Sequence, residues 1–128
     1  MKKVISVISI LVLMATPNIK AQSSMDIFGA ISETFINNDY QKLSSYFAKT
    51  LDMTIESNDG TYGKQQATIL IKEFFKKNRT SSFSIKHKGA SNAQTHYAVC
   101  DLQSNNKKWN VYILLDKQSK IIQLQIEN

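Results

Sequence analysis

Residues 95–128 constrain the fold more than any other stretch of the chain. Residues 95–103 and 108–116 are rich in aromatic and β-branched side chains, and Ser104-Asn105-Asn106-Lys107 between them is a polar turn signal. Setting Leu102 opposite Trp109 pairs Cys100 with Val111, Ala98 with Ile113 and His96 with Leu115 on one face. The other face pairs Asp101 with Asn110, Val99 with Tyr112 and Tyr97 with Leu114. A two-residue turn at Lys117-Gln118 sets Asp116 opposite Ser119. Ile113 then meets Ile122, Val111 meets Leu124 and Trp109 meets Ile126. The first face is apolar across all three strands, apart from His96 at its end. The second mixes Tyr97, Val99, Tyr112, Leu114 and Ile121 with Asp101, Asn110, Gln123 and Gln125. A strand repeats every two residues, so a slip by one would carry Gln123 and Gln125 into the apolar set. Each cross-strand pair contributes only roughly 0.2–1 kcal/mol. The apolar face therefore needs a cover, and the preceding residues supply it.

Residues 25–37 carry Ile27, Phe28, Ile31, Phe35 and Ile36 at helical spacing, with Ser24 or Asp26 able to cap. Asn37-Asn38-Asp39 breaks that helix, and Asp39 can cap a second one with Tyr40, Leu43, Tyr46 and Phe47, reaching about Lys49. Leu51, Met53 and Ile55 alternate with Asp52, Thr54 and Glu56, the pattern of a half-buried strand. Asp59-Gly60 is a tight-turn signal, followed by a short returning strand at Thr61-Tyr62. Residues 64–78 form a third helix with the stripe Ala67, Leu70, Ile71, Phe74 and Phe75. Residues 81–88 form a strand with Phe83, Ile85 and His87 on one face. The expected fold class is α+β, with three N-terminal helices packed on one face of a curved antiparallel sheet.

The chain begins Met1-Lys2-Lys3, runs apolar over residues 4–15, and reaches Pro17 and then Ile19-Lys20-Ala21. A basic start, a short apolar core and a small residue before the cut read as a signal peptide at residues 1–21. The apolar run is well short of the ~20 residues that span a bilayer, so no stable membrane span is expected after cleavage. Residues 22–128 are then one domain, exported to the periplasm or the medium. The single cysteine, Cys100, makes no intramolecular disulfide, so burial must carry stability. Removal of Lys2, Lys3 and Lys20 lowers the net charge from +6 to +3. That is too mild for a nucleic-acid partner, and Lys72, Lys76, Lys77, Arg79, Lys86 and Lys88 read as solvated faces.

Two helices, a paired strand, a third helix and a four-strand meander resemble the nuclear transport factor 2-like, or cystatin-like, cone fold. Leu51-Asp52-Met53-Thr54-Ile55, Gly60-Thr61-Tyr62-Gly63-Lys64-Gln65-Gln66-Ala67, Phe74-Phe75 and His87-Lys88-Gly89 are similar to a family of small secreted Bacteroidota proteins of unknown function. The resemblance implies fold and export and brings no catalytic residues with it. The fold hosts isomerases, dehydratases and binding modules, so fold alone decides nothing about function.

Enzymes on this fold place an acid, a base or a Tyr on the inner face, where a cavity usually lies. No Asp or Glu of the four-strand sheet falls there, so a general base is missing. The histidines are the exception. With Phe83 opposite Cys100, His87 and His96 would face each other across neighbouring strands, at a spacing that suits binding a metal or relaying a proton. Tyr62 and Cys100 are the further ligand-binding candidates. A closed metal site needs four ligands, so no metal is expected, and no cofactor signature is present. The leading expectation is a non-catalytic binding or interaction domain for a small apolar ligand or a protein. A homodimer or an envelope partner would dock on Tyr97, Val99, Tyr112, Leu114 and Ile121. The alternative is a small isomerase- or hydratase-type enzyme built around His87 and His96.

Overall fold

A computed structural model describes residues 24–128, so the expected signal peptide lies outside the described residues. α1 (Ser24–Ile36) buries Phe28, Ile31 and Phe35. It gives way to Asn38, whose φ of 53° is a left-handed conformation that asparagine tolerates. Asp39 caps α2 (Tyr40–Ser44), its carboxylate accepting from the Lys42 amide at 3.0 Å. The expected extension of this helix to about Lys49 is corrected. The Ser44 and Ser45 hydroxyls donate to the Gln41 and Lys42 carbonyls, local bonds that compete with helix propagation. Leu43 and Phe47 are both buried, but Phe47 belongs to a strand.

The remaining elements are β1 (Phe47–Ile55), β2 (Asn58–Gly63), α3 (Lys64–Lys77), β3 (Ser82–Ala90), β4 (His96–Ser104), β5 (Lys107–Leu115) and β6 (Ile121–Glu127). The β1–β2 turn is Glu56-Ser57, with Glu56 at φ 57°. Asp59-Gly60 is not that turn; the two residues lie inside β2, opposite Thr54 and Met53. Two cross-strand bonds support this register: Thr54 donates to Asp59 at 2.9 Å and Thr61 to Asp52 at 2.7 Å.

The six strands form one curved sheet in the order β2-β1-β6-β5-β4-β3. It is mixed rather than wholly antiparallel, because β1 runs parallel to β6. That contact joins distant parts of the chain and has no local signature. It aligns Met53 with Leu124 and Ile55 with Ile126, continuing the apolar surface across both strands.

Every expected β4–β5 pair is present, from His96–Leu115 to Leu102–Trp109. The β5–β6 register differs by two residues: Val111 meets Ile126 and Ile113 meets Leu124. The connection is longer than two residues. The Asp116 carboxylate accepts from the Gln118 and Lys120 amides at 2.8 and 2.9 Å, and Ser119 has φ 64°. A slip of two keeps every face, so the hydrophobic pattern could not resist it. An irregularity between Leu114 and Leu115 then turns Ile121 inward, opposite Leu115.

The inward side chains of helices and strands form one hydrophobic cluster. α1 lies against β3 and α3 against β1. Phe35 stacks on Phe83 with centroids 4.5 Å apart, and Phe74 meets Trp109 edge-on at 5.0 Å and 84°. Among the described residues, no helix is long and apolar enough to cross a membrane.

Candidate functional site

The inner face of the sheet is sealed from solvent. Ala98, Cys100, Leu102, Leu115, Leu124 and Ile126 are all 0% exposed. Burial, and secondarily the neighbouring Asp101 charge, pushes the Cys100 thiol up from 9.0 to about 12. A neutral, inaccessible thiol is neither a nucleophile nor a ligand.

The four candidate ligand residues do not converge. Cys100 and His96 lie on β4, four residues and therefore about 13 Å apart along the strand. Tyr62 is on β2 and His87 on β3, the two opposite edges of the sheet. The facing histidine pair is also corrected. Phe83 pairs with Leu102 and Ile85 with Cys100, after which a bulge at Lys86 sets His87 opposite Val99. One extra residue reverses the faces beyond it. His96 instead pairs with Ala90 and Leu115. Among the described residues, no group of three His, Cys, Asp or Glu side chains is placed to hold a metal ion.

The bulge builds something else. It delivers His87 to the outer face, where its Nε2 and the Tyr97 hydroxyl are hydrogen-bonded at 2.8 Å. Gly89 is the cross-strand partner of Tyr97, and the ring lies over it. A Cβ at position 89 would come within 3.2 Å of Tyr97 Cε1 and 3.3 Å of its hydroxyl, so the absent side chain is what seats the ring. Tyr112 lies nearly parallel to Tyr97, at 24° and 6.1 Å between centroids. Val99 and Leu114, both half-buried, flank these rings. Four of the five predicted interface residues are therefore together. Ile121 is not: it is fully buried beside Leu115 and Phe47. Gly89 is the member that sequence reasoning missed, and His87, expected on the inner face, belongs here instead, because a bulge leaves no mark in the hydrophobic pattern.

Charges frame the strip. Asp101 holds Lys86 at 3.6 Å and Lys108 at 3.9 Å on the β3–β5 side. Asp52 and Asp59, each accepting from a threonine, lie on the β1–β2 side. Away from the sheet, a groove of about 400 Å³ between α1 and α2 is lined by Glu33, Thr34, Asp39, Lys42 and Tyr46, among others. A smaller one of about 200 Å³ lies between α2 and α3. Neither is lined by a strand residue.

The profile of DUF4783, a domain of unknown function, matches residues 28–127. The chain belongs to the DUF4783 family. A DUF4783 protein from Bacteroides ovatus superposes with a TM-score of 0.70 at 27% identity, over 77% of this chain and 91% of that one. Another from Bacteroides uniformis gives 0.73 at 19% identity, over 78% and 94%. An NTF2-like protein of unknown function from Cytophaga hutchinsonii gives 0.60 at 10% identity, over 84% and 92%. The last two likenesses establish the fold alone. The expected resemblance to an uncharacterised Bacteroidota family and to the NTF2-like fold therefore holds for this DUF4783 chain. Among curated proteins none matches.

Proposed function

We propose that this DUF4783 chain is an exported, non-catalytic protein-interaction domain that works through the outer face of its sheet. The observation that carries the reading is the His87–Tyr97–Tyr112 strip, an ordered aromatic surface on a half-exposed face. Interface centres are enriched in Tyr and poor in Lys; the strip has two tyrosines and no lysine in a lysine-rich chain. An isomerase- or hydratase-type reading loses its footing, because its histidine pair is split by the bulge and the inner face carries no carboxylate. Export rests on the tripartite pattern of residues 1–21, with the periplasm or the medium as destination.

The occupant best supported is a second copy of the chain. A two-fold axis between two outer faces and parallel to their strands sets β3 of one copy over β2 of the other, β4 over β1 and β5 over β6. Lys86 on β3 of each copy then lies over the strand of its partner that carries Asp59, and the β4 and β5 tyrosines lie over the partner's β1 and β6. That is the self-complementary arrangement a two-fold interface requires. The free edge at β3 is a poorer docking site, because its bulge and its lysines discourage strand addition. With Ile121 withdrawn, the apolar strip falls well below the ~800 Å² per partner of a stable complex. The pairing is accordingly weak and concentration-dependent.

Light scattering over a concentration series tests this. The wild-type mass rises toward a dimer, and Leu114→Glu holds it at the monomer without changing the thermal melt. A wild-type monomer at the highest concentration, together with an unchanged set of captured envelope proteins for Leu114→Glu, would end the proposal.

A further inference from the structure

We infer that the groove between α2 and α3 docks an acidic, extended peptide segment. It lies apart from the outer sheet face, so the inference stands or falls independently of pairing there. The groove is lined by Asn38, Tyr40, Lys72, Phe75, Lys76 and Arg79. Half of these residues are cations and none is an acid. The ion pairs among the described residues are Lys86–Asp101 and Lys108–Asp101. Among the described residues, all three groove cations are therefore without a carboxylate partner, although the whole sequence holds 10 Asp and Glu residues. The imbalance is local, not compositional.

Helix physics does not account for the cluster. Lys72 and Lys76 stand four residues apart on α3, where like charges repel. Lys76 is in the last turn, where the helix C-terminus favours a cation. Lys72 lies a full turn earlier and Arg79 beyond the helix, so neither position gains much from that field. Their shared property is that they line one groove.

The groove is also held in shape. Asn38 Oδ1 accepts from the Thr80 amide at 2.9 Å, tying the α1–α2 corner to the segment after α3. The Asn78 backbone and side-chain amides both donate to the Phe74 carbonyl, closing the end of α3. Lys72 Nζ stands 5.6 Å over the Tyr40 ring, so an aromatic wall positions one of the cations. Phe75 contributes a buried apolar surface.

Spacing and polarity select the partner. Four residues of helix advance ~6 Å, and alternate side chains of an extended peptide are about 6.6 Å apart. Carboxylates two residues apart on such a peptide therefore match Lys72 and Lys76. A third approaches Arg79, whose planar fork suits a carboxylate. The methylene groups of glutamate side chains meet the half-buried Tyr40 ring, a contact that inorganic phosphate or a sulfated polysaccharide lacks.

Fluorescence anisotropy with a fluorescein-labelled decapeptide of alternating Glu and Ser tests the inference on the purified protein. The peptide binds, a Gln–Ser peptide does not, and added salt weakens binding. Lys72→Gln combined with Arg79→Gln weakens it about ten-fold or more, and Lys76→Glu acts in the same direction. All three residues are exposed, so circular dichroism melts of these variants match wild type. Leu114→Glu, on the other surface, leaves peptide affinity unchanged. Phosphate or dextran sulfate displacing the labelled peptide as well as unlabelled peptide does would overturn the peptide assignment. The inference as a whole is refuted by absent binding into the millimolar range, or by variants that bind like wild type.

Discussion

Replacing Trp109 with alanine tests how the sheet is anchored. Trp109 is 2% exposed, meets Phe74 edge-on at 5.0 Å and donates its indole N–H to Ser104 Oγ at 3.2 Å. Ser104 is itself 0% exposed, so the bond joins two buried groups at the β4–β5 turn. Truncating a core Trp costs about 3–5 kcal/mol, and a buried hydroxyl left unpaired costs about 1–3 kcal/mol. These overlap, so about 4 kcal/mol is a working figure against the ~5–15 kcal/mol that holds a domain together. For a domain of this size 1 kcal/mol moves Tm by roughly 4–8 °C, which puts the expected drop at about 15 °C or more. Thermal and urea melts followed by circular dichroism read it. The hydrogen bond is isolated by a cycle. Trp109→Phe strands the Ser104 hydroxyl, and adding Ser104→Ala removes the stranded group. The double variant is then more stable than the two single losses added together. A Trp109→Ala protein melting within a few degrees of wild type refutes the anchor, and strictly additive losses refute the bond.

Three further outcomes are expected. Cys100 resists alkylation by iodoacetamide at pH 8 in the folded chain and reacts on denaturation; mass spectrometry showing rapid native labelling would contradict its burial. Because folding raises this thiol from 9.0 to about 12, its neutral form is favoured in the native state. Its contribution is complete below pH 9 and is lost as pH climbs from 9 toward 12; Cys100→Ala should flatten that alkaline decline in urea midpoints. An exported form beginning at Gln22 is expected, and intact mass of protein recovered from the envelope or medium checks this, a species retaining residues 1–21 being the contrary result.

The β4–β5 hairpin was legible because its four-residue turn signal and its alternating apolar side chains agree on one register. The β5–β6 pairing was not, because a slip by two preserves faces and only turn chemistry decides it. Asp116 has that chemistry, since its carboxylate organises the Lys117–Ser119 loop, but the same residues also allow a tighter turn. The end of α2 was not legible, because Tyr40, Leu43 and Phe47 satisfy helical spacing whether or not the helix continues. The parallel β1–β6 contact was illegible, since nothing within either strand names its neighbour. The candidate site followed the same rule. Tyr97, Val99, Tyr112 and Leu114 came from alternation within one hairpin. The face of His87 was not legible, because the bulge at Lys86 arises from a pairing between strands. The groove cations Lys72, Lys76 and Arg79 were visible as residues, but only the fold shows that they share a concavity without an acid.

The sealed inner face has an energetic logic that bears on where function can lie. A cavity for a small ligand occupies about 300 Å³ or more. At about 24 cal/mol per Å³ of residual cavity, opening one would cost about 7 kcal/mol. That is comparable to the whole ~5–15 kcal/mol of a small domain. With one cysteine, the chain has no intramolecular disulfide to offset such a loss. Trp109, Phe74, Phe35 and Phe83 occupy the inner layer with mutual ring contacts instead. A chain stabilised this way keeps its inward residues for stability and has its outward ones free for recognition. Exposed residues such as Lys72 and Arg79 can be replaced at little cost to folding, so losing a binding activity there without losing the melt is the behaviour that separates recognition from structure.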